Sequence, residues 1–201
     1  MRAVLRGQRD AVVPCDGCQG CCVSGYHVPL RPQDTVALEE VPAVNLVLPR
    51  GCGLARMLPR ADGTCPMLEE GRCRIYADRP RTCRDYDCRI YAATGLEPDG
   101  DRPVIRQRVR EWTFSHEGGR DAAEAAALRR AAAFIRRHAA LFPPEVRAHS
   151  AAAAAVLAVK VYPLFLAQEG DARLGPASGT AAEEQVARVL EAARAFDSAS
   201  A

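Results

Sequence analysis

Residues 15–22 read CDGCQGCC, four cysteines in eight positions. How those sulfurs are used decides what fold surrounds them. Disulfide partners would imply a stapled secreted domain, whereas metal ligands would imply a loop-rich module closed around an ion or a cluster. The spacing points to metal. Two residues between successive cysteines form a tight turn that brings two thiolates onto one centre, with amides free to hydrogen-bond to sulfur. Gly17 and Gly20 supply the backbone freedom for such a turn. Cys15, Cys18 and Cys21 make two overlapping pairs of this kind, and Cys22 follows directly.

Five more cysteines follow, Cys52, Cys65, Cys73, Cys83 and Cys88, and residues 89–201 contain none. The opening MRAVLRGQRDAVVPC has arginines but no apolar run behind them, so it does not read as a secretory signal. The expected location is cytoplasmic, where thiols stay reduced and clustered cysteines more often serve metal or redox chemistry. Structural zinc takes four Cys or His ligands, so eight cysteines would supply two such sites. The run CDGCQGC equally matches the C-x-x-C-x-x-C run of cluster-binding ferredoxins, in which a cysteine followed by proline completes a set, as Cys65-Pro66 could. Adjacent Cys21 and Cys22 are expected to point different ways. That favours two centres, or one centre and a structural thiol.

CDGCQGCC followed by CPMLEEGRCRIYADRPRTCRDYDC resembles the CxxCxxCC (YkgJ-like) family of cysteine-cluster proteins. The parts that carry the resemblance are the compact first run, Cys65-Pro66-Met67-Leu68, Cys73-Arg74-Ile75-Tyr76, Arg79-Pro80 and Cys83-Arg84. They span residues 15–91. The resemblance implies a zinc- or iron-chelating domain, often with an iron–sulfur cluster, 4Fe-4S being one form. The metal ligands it implies are Cys15, Cys18, Cys21, Cys22, Cys65, Cys73, Cys83 and Cys88. Cys52 lies outside the pattern and reads as a spare thiol. Some members belong to flagellin lysine-N-methylases, so the family also implies a component of an S-adenosylmethionine-dependent protein methylase. A purely structural zinc module that mediates protein interaction is the third reading.

The remaining sequence limits these options. The chain has 201 residues, 48% hydrophobic and 26% charged, with a net charge of +2, which gives no electrostatic case for a nucleic-acid binder. The arginine-rich stretch RQRVREW is more simply a solvated face. The most apolar stretch, 151–167, is mostly alanine and is interrupted by Lys160 and Pro163, so a buried helix is expected and not a membrane span. A protein partner is the class of interaction left open. No G-x-G-x-x-G run follows a strand, and no residue reads as catalytic or as a nucleotide-cofactor ligand.

The expected fold is α+β. Residues 1–100 read as a loop-rich cysteine module, and residues 101–201 as a linker strand followed by an alanine-rich helical region. In the module, HVPLRPQD runs from an extended segment into a helix with Pro32 at its first position, and VNLVL at 44–48 is a strand. CPMLEEGRCRIY at 65–76 is a hairpin turning at EEG, with Tyr76 in its core. Asp78 caps a short helix that holds Tyr86. Residues 102–114 are read as the linker strand. Helices follow, one carrying Leu128, Ala132, Ile135 and Ala139 on its apolar face and one between Pro143-Pro144 and Pro163. A third has Thr180 as N-cap, Glu183 closing a capping box, and Val186, Val189, Leu190 and Ala193 as its stripe. The arginines at 72, 74, 79, 81, 84 and 89 crowd the last cysteines, and balanced acids make a paired, solvated surface their simplest role. His27 is the one histidine near the first run and a substitute ligand candidate; His116, His138 and His149 are packing or surface residues.

Overall fold

The computed structural model describes residues 2–6, 17–48, 53–100, 102–116, 118–166 and 179–199. Cys15, Cys52 and most of the glycine-rich loop before the last helix lie outside the described residues. In chain order the elements are α1 (Arg2–Leu5), β1 (Val28–Leu30), α2 (Thr35–Glu40), β2 (Leu46–Val47), β3 (Ala55–Met57), β4 (Leu68–Glu69), β5 (Arg72–Cys73), α3 (Arg81–Asp85), α4 (Arg89–Thr94), α5 (Pro103–Glu111), α6 (Gly119–Arg137), α7 (Ala151–Val161) and α8 (Thr180–Ser198). Short strands in small sheets beside several helices make the fold α+β.

By its internal contacts the chain divides into two units. The cysteine unit comprises Asp10–Asp87 and Asp101–Arg108; the helical unit comprises Met1–Arg9, Cys88–Gly100 and Val109–Ala201.

In the cysteine unit β3 is the middle strand of a three-stranded antiparallel sheet, ordered β1-β3-β2. Leu30, Ala55 and Met57 point from it into a small core with Ala37, Val41, Met67 and Ile75. A second sheet is the β4–β5 hairpin, with Leu68 opposite Cys73. Its turn residues Glu70 and Gly71 have φ of 47° and 77°, the two positive values that a two-residue hairpin turn with strand-matching twist requires. Glycine meets that need at no steric cost; glutamate does not.

Several boundaries differ from the sequence reading. Pro32 lies in a turn ahead of α2, which starts at Thr35, because Asp34 stops the chain there. The Asp34 carboxylate accepts the Arg31 amide at 2.8 Å and, across the chain, the Arg81 amide at 2.8 Å. That second bond satisfies the start of α3, so Asp34 fills the role expected of Asp78, and Pro80 is the flanking residue. Residues 103–111 are a helix and not the expected strand. Pro103 suits a first helical position, and the buried residues Ile105 and Val109 are four apart, with Val104 exposed. That is helical spacing, which the three apolar residues taken together do not show.

The helical unit has its own core, in which α6 supplies Ala127, Ala131, Ala132 and Ile135, α7 supplies Ala154, Ala158 and Val161, and α8 supplies Val186 and Val189. Phe142 and Phe165 fill the ends. Alanine on facing helices allows close backbone approach, which is why so few large side chains make a core here. Leu128 is only partly buried, and the apolar face runs through Ala127 and Ala131 instead. Ser150 caps α7, its hydroxyl accepting the Ala153 amide at 3.1 Å. Thr180 is the first residue of α8 and not its cap; Gly179 holds that place, its carbonyl accepting the Ala182 and Glu183 amides. Pro163 ends α7 in a 3-10 turn. No helix among the described residues is long and apolar enough to cross a membrane.

Candidate metal centre

The first run of cysteines folds as a series of turns over residues 20–25. Gly17 has φ of +74°, open to glycine and strained for other residues. Gly20 is needed for space: a Cβ there would sit 3.2 Å from the Ile105 Cδ1 and 3.4 Å from the Cys18 sulfur. The Gly20 amide donates to Cys18 Sγ at 3.4 Å. The Met67 and Ile75 amides, each two residues on, likewise draw the Cys65 and Cys73 thiols toward their anionic form. Amide donors favour the anionic, metal-binding form of sulfur.

Backbone bonds bring these turns together. The Cys65 amide donates to the Cys22 carbonyl at 2.6 Å. Gln19 lies against Gly71 at the hairpin tip, where a Cβ would meet its Nε2 at 3.0 Å. Thr82, beside Cys83, donates its hydroxyl to the Pro29 carbonyl at 2.8 Å, tying α3 to β1.

The thiols of Cys21, Cys65 and Cys73 lie within electrostatic reach of one another, and each reaches both Cys22 and Cys83. Burial pushes the Cys83 thiol up to about 12, and the neighbouring Cys21, Cys65 and Cys73 add to that rise while Arg79 opposes it. Burial likewise raises Cys65 and Cys73, against the pull of their amide donors and of Arg60 or Arg79. Cys21 and Cys22 behave as one pair. Their hydrogen bond lowers Cys21 to about 7 and raises Cys22, which burial raises further. The pair releases one proton readily and holds the second.

Cys21 Sγ and Cys22 Sγ are 4.0 Å apart, so the two sulfurs do not diverge as expected. They sit in a turn, where adjacent side chains do not alternate as they do in a strand. Two sulfurs on one tetrahedral zinc, with Zn–S of about 2.3 Å, stand roughly 3.8 Å apart. Yet among the described residues no three Cys, His, Asp or Glu side chains are close enough to hold one ion as they stand. The thiols are grouped at charge-coupling range and would have to close in.

Of the other expected residues, Cys18 accepts the Gly20 amide on its sulfur. Cys88 belongs to the helical unit, buried at 7%, where the Trp112 indole N–H donates to its sulfur at 3.2 Å. None of the seven described cysteines is in a disulfide. His27 is exposed. Tyr76, expected in the hairpin core, is 61% exposed, because Ile75 takes the core position and the chain turns there. The Arg79 guanidinium stacks 4.3 Å from its ring. Tyr86 is partly buried, its hydroxyl 3.0 Å from that of Tyr26. Several crowding arginines are paired: Arg81 with Asp85 at 2.7 Å, Arg74 with Glu40 at 2.6 Å and Glu69 at 3.3 Å.

Residues 14–104 match the sequence profile of the CxxCxxCC family, described as "Putative zinc- or iron-chelating domain". The match takes in every grouped thiol. No curated protein and no solved structure matches the chain significantly. The CxxCxxCC match ends at residue 104, so α6, α7 and α8 lie beyond it.

Two residues of the CxxCxxCC region were not singled out by the sequence. Asp34 links β1, α2 and α3, and Arg60 embraces the Cys65 loop. A signal existed for the first, an Asp directly ahead of an apolar helical run. For the second the only signal was Asp62-Gly63-Thr64 before Cys65, a turn that a nearby donor could brace.

Proposed function

We propose that the chain is a metal-binding protein whose cysteine unit holds a zinc ion or an iron–sulfur cluster through thiolates of Cys21, Cys22, Cys65, Cys73 and Cys83, with Cys15 and Cys18 as the further ligands. The observation that carries this reading is the gathering of five thiols from three separate segments, flanked by amide donors aimed at sulfur. A set made of soft sulfur donors suits zinc, iron–sulfur clusters or copper(I), and not magnesium or calcium. Burial and the neighbouring thiols also raise the proton affinity of the half-buried Cys22, Cys65, Cys73 and Cys83, a penalty that a cation removes. When bound, the group would supply cross-linking of the three segments and, in the case of a cluster, one-electron chemistry.

The centre is in this reading a folding element. The unit's sheet strands are two or three residues long and its buried core is small, with Cys65 and Cys73 packed against it. Metal binding energy is then folding energy. The test is metal and acid-labile sulfide analysis, with an absorption spectrum, on full-length protein purified without oxygen. Iron and sulfide in near-equal amounts identify a cluster; zinc in a colourless protein identifies a zinc site. Protein that is metal-free and takes up neither zinc nor iron and sulfide would sink the proposal.

A further inference from the structure

Arg60 sits five residues before Cys65 and is wrapped into the loop that carries it. Its backbone closes the base of the loop, the Arg60 amide donating to the Thr64 carbonyl at 2.7 Å and the Gly63 amide donating back to the Arg60 carbonyl at 2.9 Å. Its guanidinium reaches forward over Cys65. Nη2 donates to the Pro66 carbonyl at 2.8 Å, and Nη1 to the Leu68 carbonyl at 3.0 Å and to Thr64 Oγ1 at 3.4 Å. These acceptors flank Cys65 on both sides. Asp62, the acid nearest in sequence, is turned instead to the amide and hydroxyl of Thr64. A planar fork with several donors can hold such divergent acceptors at once; an ammonium on a flexible stem cannot.

We propose that Arg60 is a positioning residue of the metal centre, holding the turn from Thr64 to Leu68 closed so that the Cys65 sulfur is presented to the other thiols. This rests on the metal reading above and deepens it. Groups that orient ligands from behind typically contribute 10–100-fold to metal affinity. The bonds from Arg60 go to backbone carbonyls on the far side of Cys65 and to the Thr64 hydroxyl just before it, so its effect is exerted first on Cys65.

The test is cobalt(II) titration of the reduced full-length chain, followed by the thiolate-to-cobalt charge-transfer band, for wild type, R60Q, R60K, C65S and R60Q/C65S. R60Q should bind about 10–100-fold more weakly than wild type. R60K should be as weak as R60Q, since it keeps the charge and loses the fork. In the C65S background R60Q should cost about twofold or less, the non-additivity of groups that act as one. Wild-type affinity in R60Q, or full rescue by R60K, would overturn the clamp. An equal loss in both backgrounds would also overturn it, by assigning Arg60 a general folding role. If R60Q does not fold, R60K and R60K/C65S carry the same comparison. Should wild type itself fail to bind cobalt through thiolates, the metal reading falls first, and the clamp with it.

Discussion

At the scale of single residues, the side chain that organises the cysteine unit is an acid that binds no sulfur. Asp34 is 5% exposed and accepts two backbone amides, those of Arg31 and Arg81. A buried carboxylate is tolerable when its hydrogen bonds are made, and here it closes β1, α2 and α3 together. Replacing it with alanine strands two donors. Asp34→Ala should therefore lower stability by about 2–4 kcal/mol, and Asp34→Asn, which can satisfy only one amide well, by about half as much. Urea denaturation of the metal-loaded protein at fixed metal measures both; a loss below about 0.5 kcal/mol in D34A would remove Asp34 from this role. The sequence placed an N-cap just before α3, but at Asp78, because local spacing was all it could use. The real partner is 47 residues away, and a bond across that distance leaves no periodic trace.

Among the elements, α5 and the β4–β5 hairpin mark the two ends of what spacing reveals. The hairpin was legible because EEG between short apolar arms leaves few other turns. Its Glu70 holds a left-handed conformation that asparagine adopts more readily. Glu70→Asn should stabilise the protein by about 0.5–1 kcal/mol, read as a higher denaturation midpoint with an unchanged slope; an unchanged or lower midpoint would mean that the turn is not limiting. Helix α5 was misread because Val104, Ile105 and Val109 fit no period until it is known that only two of them are buried. Ile105 is 2% exposed and Val104 45%. Ile105→Ala should then cost about 2–5 kcal/mol, whereas Val104→Ala should be neutral or gain up to about 0.5 kcal/mol of helix propensity. Equal losses at the two positions would fit neither a one-sided helix nor this packing. The helices α6, α7 and α8 were legible for the opposite reason, since long alanine-rich stretches, with arginines opposite the apolar face in α6, support little else.

Across the whole molecule, two cores of different character share one chain. The helical unit is held by interlocked alanine, valine and phenylalanine, and the cysteine unit by a few apolar residues and by thiols. Chelation should therefore be felt unequally. Hydrogen exchange with and without a strong chelator should show lost protection in β1 to β5, α2 and α3 and retained protection in α6 and α8; uniform loss would mean that the metal does not act as the folding element of one unit. The direction of the pH effect follows from the thiols. Cys22, Cys65, Cys73 and Cys83 all hold their protons more tightly than an ordinary thiol, so at neutral pH the folded chain still carries them and a metal must displace them. Each displaced proton makes apparent affinity rise about tenfold per pH unit. Raising pH over the neutral range should tighten binding, and acidification from about pH 8 to about pH 6 should release the metal, steeply if two or more protons leave together. Titration calorimetry in buffers of different ionisation enthalpy counts those protons directly. Fewer than one proton released per metal, or an affinity that does not change with pH, would mean that these thiols are not the ligands, whatever else gathers them.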